Sequence, residues 1–187
     1  MSFFADALRE LLDELNASAV TLVGHSMGGI IAQEFYRKYP QYIRRLVLAD
    51  TTTGGGPKTK LDERLRMIRT MTPAQLAEER APKLLSCHAS PELVREAVAI
   101  MSEVRPAGYE FAALAMAAAD TRDVLKHLNV PALLIWGAED EITPLWAEIP
   151  KGARLEVIRD AGHLCYMEQP AIFNSIVRRF LLEANEG

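Results

Sequence analysis

Three residues far apart in the chain carry side chains that together can perform nucleophilic acyl transfer: Ser26, Asp140 and His163. A serine hydroxyl is a poor nucleophile at neutral pH. It needs a base within hydrogen-bond reach, and the base needs a carboxylate to orient it. Ser26 is set in Gly24-His25-Ser26-Met27-Gly28-Gly29, after the apolar, β-branched run Val20-Thr21-Leu22-Val23 and before a helical pattern through Gln33. A strand that turns at once into a helix strains its central residue and lifts it into open space. It also needs small residues where helix and strand nearly touch, a need that Gly24, Gly28 and Gly29 are expected to meet. The helix N-terminus favours negative charge, so the backbone N–H of Met27 is the expected oxyanion donor. The competing reading is an ordinary glycine-rich turn, including one of the phosphate-binding kind.

In an open parallel sheet, ligands sit beyond the carboxyl ends of the strands, so the partners of Ser26 belong on loops that follow strands. Asp140 lies in the loop after the apolar run 131–136, and His163 in the loop after 155–158. The order Ser, Asp, His suits this arrangement and not the orders of other serine hydrolases. Asp140 could instead be a loop-capping carboxylate, with Glu139, Glu141 and the strand-ending Asp50 as rival acids. His163 has the alternative of a surface histidine. His88 and His127 fall in a helical insertion and its exit, where packing or solvent is the expected environment, and His25 is expected to buttress the turn without acting as base.

The elements that must position these residues follow from periodicity and breakers. Ser2 is expected to cap a helix from Phe3 to Leu15 with Phe4, Leu8, Leu11, Leu12 and Leu15 on its buried face. A strand over 19–23, a helix to Lys38 stopped by Pro40, and a strand over 43–49 come next. Residues 51–59 form a loop on composition. Four helices are then expected: 61–71, one capped by Thr72-Pro73 and bent or ended by Pro82, one capped by Ser90-Pro91 running to Val104, and one opened by Pro106 through 112–119. Together they make residues 52–120 a helical cap inserted into a single domain over 1–187. Met67, Met71, Met101 and Met116 pack in this insertion or line a substrate site, packing being favoured. Two more strands and a last helix from Pro170, with Ile172, Phe173, Ile176, Val177 and Phe180 on one face, complete an α/β architecture with about four parallel strands.

The chain of 187 residues is 49% hydrophobic with a net charge of −4, enough apolar material for one sizeable core. No basic run points to nucleic acid, and no apolar run approaches a membrane span. The N-terminus lacks a charged and apolar leader pattern, so a cytoplasmic protein is expected. Cys87 and Cys165 make no metal spacing and are expected as free thiols.

Gly-His-Ser-Met-Gly-Gly at 24–29, Trp-Gly-Ala-Glu-Asp at 136–140 and Ala-Gly-His at 161–163 resemble the triad motifs of the α/β-hydrolase superfamily. Arg-Pro-Ala-Gly-Tyr at 105–109 and Met-Ala-Ala-Ala-Asp-Thr-Arg-Asp at 116–123 resemble the branch of enol-lactone hydrolases and small esterases. The serine differs from the dehalogenase and epoxide-hydrolase branches, which place an aspartate there. The resemblance implies a truncated α/β-hydrolase fold, since family members carry several tens of residues ahead of the first helix found here. Those residues build the first four strands and a His-Gly-type loop that supplies a second oxyanion N–H. Loss of one such donor costs about 2.7–4 kcal/mol, or 10²–10³ in rate. A second departure is the short stretch 143–150, where the family has a full helix and this chain has room for about one turn.

The strand 19–23 then becomes an apolar edge without a charged gatekeeper, and a homo-oligomer covering it is expected. Two functions follow. One is a serine hydrolase of small carboxylic esters or lactones needing no metal and no organic cofactor. The other is a catalytically impaired or non-catalytic module that oligomerises or needs a partner chain.

Overall fold

Four parallel strands stand side by side in the order of the chain, β1 (Val20–His25), β2 (Ile43–Ala49), β3 (Ala132–Gly137) and β4 (Arg154–Ile158). The computed structural model describes residues 1–143 and 149–183; the short stretch 143–150 singled out above therefore falls largely outside the described residues. The helices are α1 (Ser2–Glu14), α2 (Met27–Lys38), α3 (Lys58–Thr70), α4 (Pro73–Arg80), α5 (Pro91–Ser102), α6 (Pro106–Ala117), α7 (Arg122–Lys126), α8 (Cys165–Glu168) and α9 (Pro170–Glu183).

β3 is apolar throughout and β2 from Leu46 onward, because both sheet faces are covered there; Arg44 and Arg45 stand near the start of β2. Along β2, Leu46 and Leu48 turn to one face and pack with Ala32 of α2 and Leu125 of α7. Val47 and Ala49 turn to the other, with Leu133, Ile135 and the α9 residues Ile176 and Phe180. The alternation is the period-2 geometry of a strand. α1 lies outside α2, burying Ala5 and Leu12 against Phe35, Tyr36 and Ile43.

The insertion between β2 and β3 has apolar clusters of its own. Leu65, Met67 and Ile68 of α3 pack with Leu76 of α4 and Ala113 of α6, while Ala81, Leu85 and Ala97 form a second group. Met71 joins the first and Met101 the second, so Met67, Met71 and Met101 pack as expected, while Met116 belongs to neither cluster. Thr72 opens α4 with a reciprocal capping box to Gln75, and Ser90 accepts from the Leu93 N–H at the start of α5. Pro82 falls in a 3-10 turn, Ala81–Leu84, that ends α4.

Several expectations need correction. Met1, not Ser2, occupies the N-cap of α1; the Ser2 hydroxyl instead accepts from Lys38 Nζ at 2.8 Å. Leu11 and Leu15 are 50% and 66% exposed, because α1 meets α2 along a narrower stripe than periodicity suggests. Ile172 likewise stays exposed while Phe173, Ile176, Val177 and Phe180 pack. α3 starts at Lys58, inside the stretch read as loop, where Pro57 stands just before the first turn. α7 and α8, of five and four residues, are too short for a periodic signal.

Candidate functional site

The carboxyl ends of the strands bring Ser26, His163 and Asp140 together. Ser26 follows β1 directly and is the N-cap of α2, with φ 51° and ψ −121°. A non-glycine residue pays for such a conformation with about 1–3 kcal/mol of strain, and the surroundings must hold it there. They do: the Ser26 N–H donates to Ala49 O at 3.0 Å, and the Thr51 hydroxyl donates to Ser26 O at 2.5 Å. The tight crossing needs Gly24, where a Cβ would strike the Gly28 and Gly29 backbone, and Gly29, where it would strike Thr51. Gly28 corrects the expectation: a Cβ there meets open space, so its backbone, not its lack of a side chain, serves the crossing.

His163 Nε2 stands 2.9 Å from Ser26 Oγ, and His163 Nδ1 stands 3.0 Å from Asp140 Oδ2. A carboxylate only accepts, so Nδ1 carries the proton and Nε2 is left to accept from the Ser26 hydroxyl. His163 is 5% exposed and the Asp140 side chain fully buried. Burial opposes ionisation of Asp140, yet hydrogen bonds and charge from His163 and Thr143 outweigh it and hold the carboxyl below its ordinary range. Asp140 Oδ1 accepts from the Ile142 and Thr143 N–H groups at 2.8 and 3.0 Å, and Oδ2 accepts from the Thr143 hydroxyl. Thr143 is in turn fixed by Trp136, whose indole N–H donates to its carbonyl at 2.6 Å.

The Met27 N–H heads α2, where no intrahelical acceptor exists for it, beside Ser26. His25 Nε2 donates to His163 O at 2.6 Å, and its ring lies edge-on to Tyr166 at 4.9 Å. It supports the backbone of His163 and does not touch the Ser26 hydroxyl through that nitrogen. Burial pushes its pKa down to about 4.

The other acids are placed apart. Asp50 is fully buried just after β2, its Oδ1 accepting from the Gly137 N–H at 2.8 Å while its Oδ2 has no hydrogen-bond partner, and burial raises its pKa to about 7. Glu139 turns to Cys87 and His88 of the insertion. Glu141 and Ile142 line a cavity of about 330 Å³ with Arg64, Met67 and Arg80 of the insertion. His127 is exposed at the C-cap of α7, its Nδ1 2.9 Å from Asp123 O.

Two supports escaped the sequence. Glu168 of α8 accepts from the Gly162 N–H at 2.6 Å and from the Ser86 N–H at 2.7 Å, tying the loop of His163 to the insertion. Buried Gln33 donates to Gly29 O and Thr52 O at 3.1 and 2.9 Å and accepts from the Thr121 hydroxyl at 2.7 Å, pinning α2 to the chain on both sides of the insertion. Neither has a local signature: a glutamate in a four-residue helix and a glutamine in an amphipathic one read as solvated.

Residues 1–170 match the family model described as the alpha/beta hydrolase fold. The chain is similar to a thermophilic esterase from Thermogutta terrifontis, with 33% identity and a TM-score of 0.87 over 96% of this chain and 71% of that one. It is also similar to the enol-lactonase from Burkholderia xenovorans, with 25% identity and a TM-score of 0.83 over 95% and 71%. Among curated relatives, 3-oxoadipate enol-lactonase 2 of Acinetobacter baylyi is 28% identical over 94% of this chain and 68% of its own length. The chain thus spans roughly two thirds of the length of these relatives. Among the described residues no helix is long and apolar enough to cross a membrane. With the parallel sheet, the helical insertion and the match over 1–170 in hand, the chain belongs to the α/β hydrolase fold family, alongside its esterases and lactonases.

Proposed function

We propose that the protein is a serine hydrolase of small carboxylic esters or lactones. The observation that carries this reading is the continuous line from Asp140 through His163 to Ser26, each link a hydrogen bond of 2.9–3.0 Å. In this reading Ser26 Oγ attacks the carbonyl carbon while His163 Nε2 takes the hydroxyl proton. Asp140 keeps Nδ1 protonated and stabilises the imidazolium that forms. The oxyanion is held by the Met27 N–H at the positive end of α2. Collapse expels the alcohol, which takes its proton from His163, and water then cleaves the acyl-enzyme by the same route. No step calls on a metal or organic cofactor. The esterase and enol-lactonase relatives support the substrate class. Residues 52–120 would serve as a cap over the site within a single domain.

The test is hydrolysis of a short-chain p-nitrophenyl ester by the purified protein beside Ser26→Ala. Turnover by the wild type with the variant at background is the expected result, a loss of about 10⁴-fold or more. Background rates for both in a folded sample would reject the reading in favour of a hydrolase-like module without activity.

A further inference from the structure

We propose that Cys87, His88, Glu139 and Asp160 form a divalent-metal site, with zinc the preferred ion, that fastens the insertion to the two loops bearing Asp140 and His163. The donors converge: Cys87 Sγ, a His88 ring nitrogen and a Glu139 carboxylate oxygen all lie within 4.8 Å of one another. His88 Nε2 stands 3.3 Å from Glu139 Oε1 and 3.6 Å from Asp160 Oδ1. A tetrahedral ion with bonds of about 2.1 Å separates its ligands by about 3.4 Å, so the His88–Glu139 and His88–Asp160 gaps match two edges of such a polyhedron.

The backbone that carries the donors is held from several sides. The Leu164 N–H donates to Leu84 O at 3.1 Å, and the Glu139 N–H to Ala161 O at 2.9 Å. Glu168 bridges the Ser86 and Gly162 N–H groups. The Cys87 N–H donates to Glu139 Oε2 at 3.2 Å, and the His88 N–H to Ser86 Oγ at 3.2 Å. The scaffold is therefore pre-organised, while Cys87 and the His88 side chain, 57% exposed, remain open to an ion from solvent.

The donor set selects the ion. Thiolate and imidazole favour zinc over magnesium or calcium, and the carboxylates complete the coordination. Binding breaks the Cys87 S–H bond, forms an S–metal bond and releases one proton to solvent. No sequence spacing announced the site, because its donors come from three segments that only the fold unites.

Cobalt(II) titration of the full chain tests the proposal, with Zn²⁺ competition against a chromogenic chelator. One equivalent of Co²⁺ should produce a thiolate charge-transfer band and tetrahedral d–d bands, both abolished by Zn²⁺. Cys87→Ser should remove the charge-transfer band, and His88→Ala should weaken Zn²⁺ binding at least about tenfold. Ser26→Ala should bind as the wild type does, so the result stands apart from the hydrolase reading. Zn²⁺ should raise the thermal midpoint of the wild type and leave that of a Cys87→Ser/His88→Ala double variant unmoved. Absence of a thiolate band in the folded wild type, or equal Zn²⁺ affinity in wild type and double variant, would overturn it.

Discussion

Ser26 shows in one residue how a site is built at the expense of stability. Its φ of 51° suits glycine, and a serine kept there carries strain. Ser26→Gly should raise unfolding free energy by about 1 kcal/mol in urea titration while eliminating hydrolysis. Thr143 acts one step further out. Thr143→Val keeps the shape but removes the hydroxyl that donates to Asp140, and a fall in kcat of about tenfold with KM little changed is the expected outcome. Two buried titratable groups impose opposite pH dependences. Asp50 ionises near pH 7 when folded and near its ordinary 3.8 when unfolded, so the unfolded chain holds fewer protons between those values. Its contribution therefore weakens as pH rises through that window, by up to about 4 kcal/mol. His25 titrates near 4 when folded and near 6.5 when unfolded, so its contribution is lost as pH falls through that window. Unfolding titrations from pH 4 to 7.5 should show the alkaline-side decline flattened in Asp50→Asn, and a wild-type slope retained there would refute the assignment.

At the scale of elements, the polar network of Gln33 joins α2 to Thr52 and Thr121, the two ends of the insertion. Gln33→Leu leaves those groups buried without their partner and should cost about 2–3 kcal/mol, more than a surface glutamine would. The same network marks the boundary of what sequence can reveal. The strands were legible as short apolar runs closed by glycine or aspartate, and the three loops that hold Ser26, Asp140 and His163 were legible from what precedes them. Gln33, Thr143 and Glu168 were not, because each acts on a segment brought close only by folding. Ser2 misled for a related reason: a lysine on the neighbouring α2 claims the hydroxyl that local rules assign to the α1 cap. Leu11 and Leu15 misled because periodicity reports which side of a helix is apolar and not how much neighbour is available to cover it.

For the whole molecule, the two edges of the sheet differ in character. β4 carries Arg154 and Glu156, which pair with each other, and Glu156 also meets Arg179 of α9. β1 reads Val-Thr-Leu-Val-Gly-His, with Val23 48% exposed. Charged edges discourage strand addition and apolar ones invite it. We expect the chain to self-associate through β1. Light scattering should report at least twice the monomer mass, and Thr21→Lys with Val23→Lys should lower it. A monomer at working concentration for the wild type would refute this.

The strand order holds a further consequence, for the route by which the chain reaches this form. β1 and β2 are joined through α2 by fewer than about 20 residues, and β3 and β4 also lie close in sequence. Between β2 and β3 stand about 80 residues, so closing that loop costs roughly 1 kcal/mol more in chain entropy than the crossover through α2. The β1–β2 and β3–β4 pairings are thus the more local ones, and we expect the pairing along the β2–β3 seam to form later. Ser26 belongs to the first half and His163 with Asp140 to the second. The site therefore cannot exist before that seam closes, because its residues come from both halves.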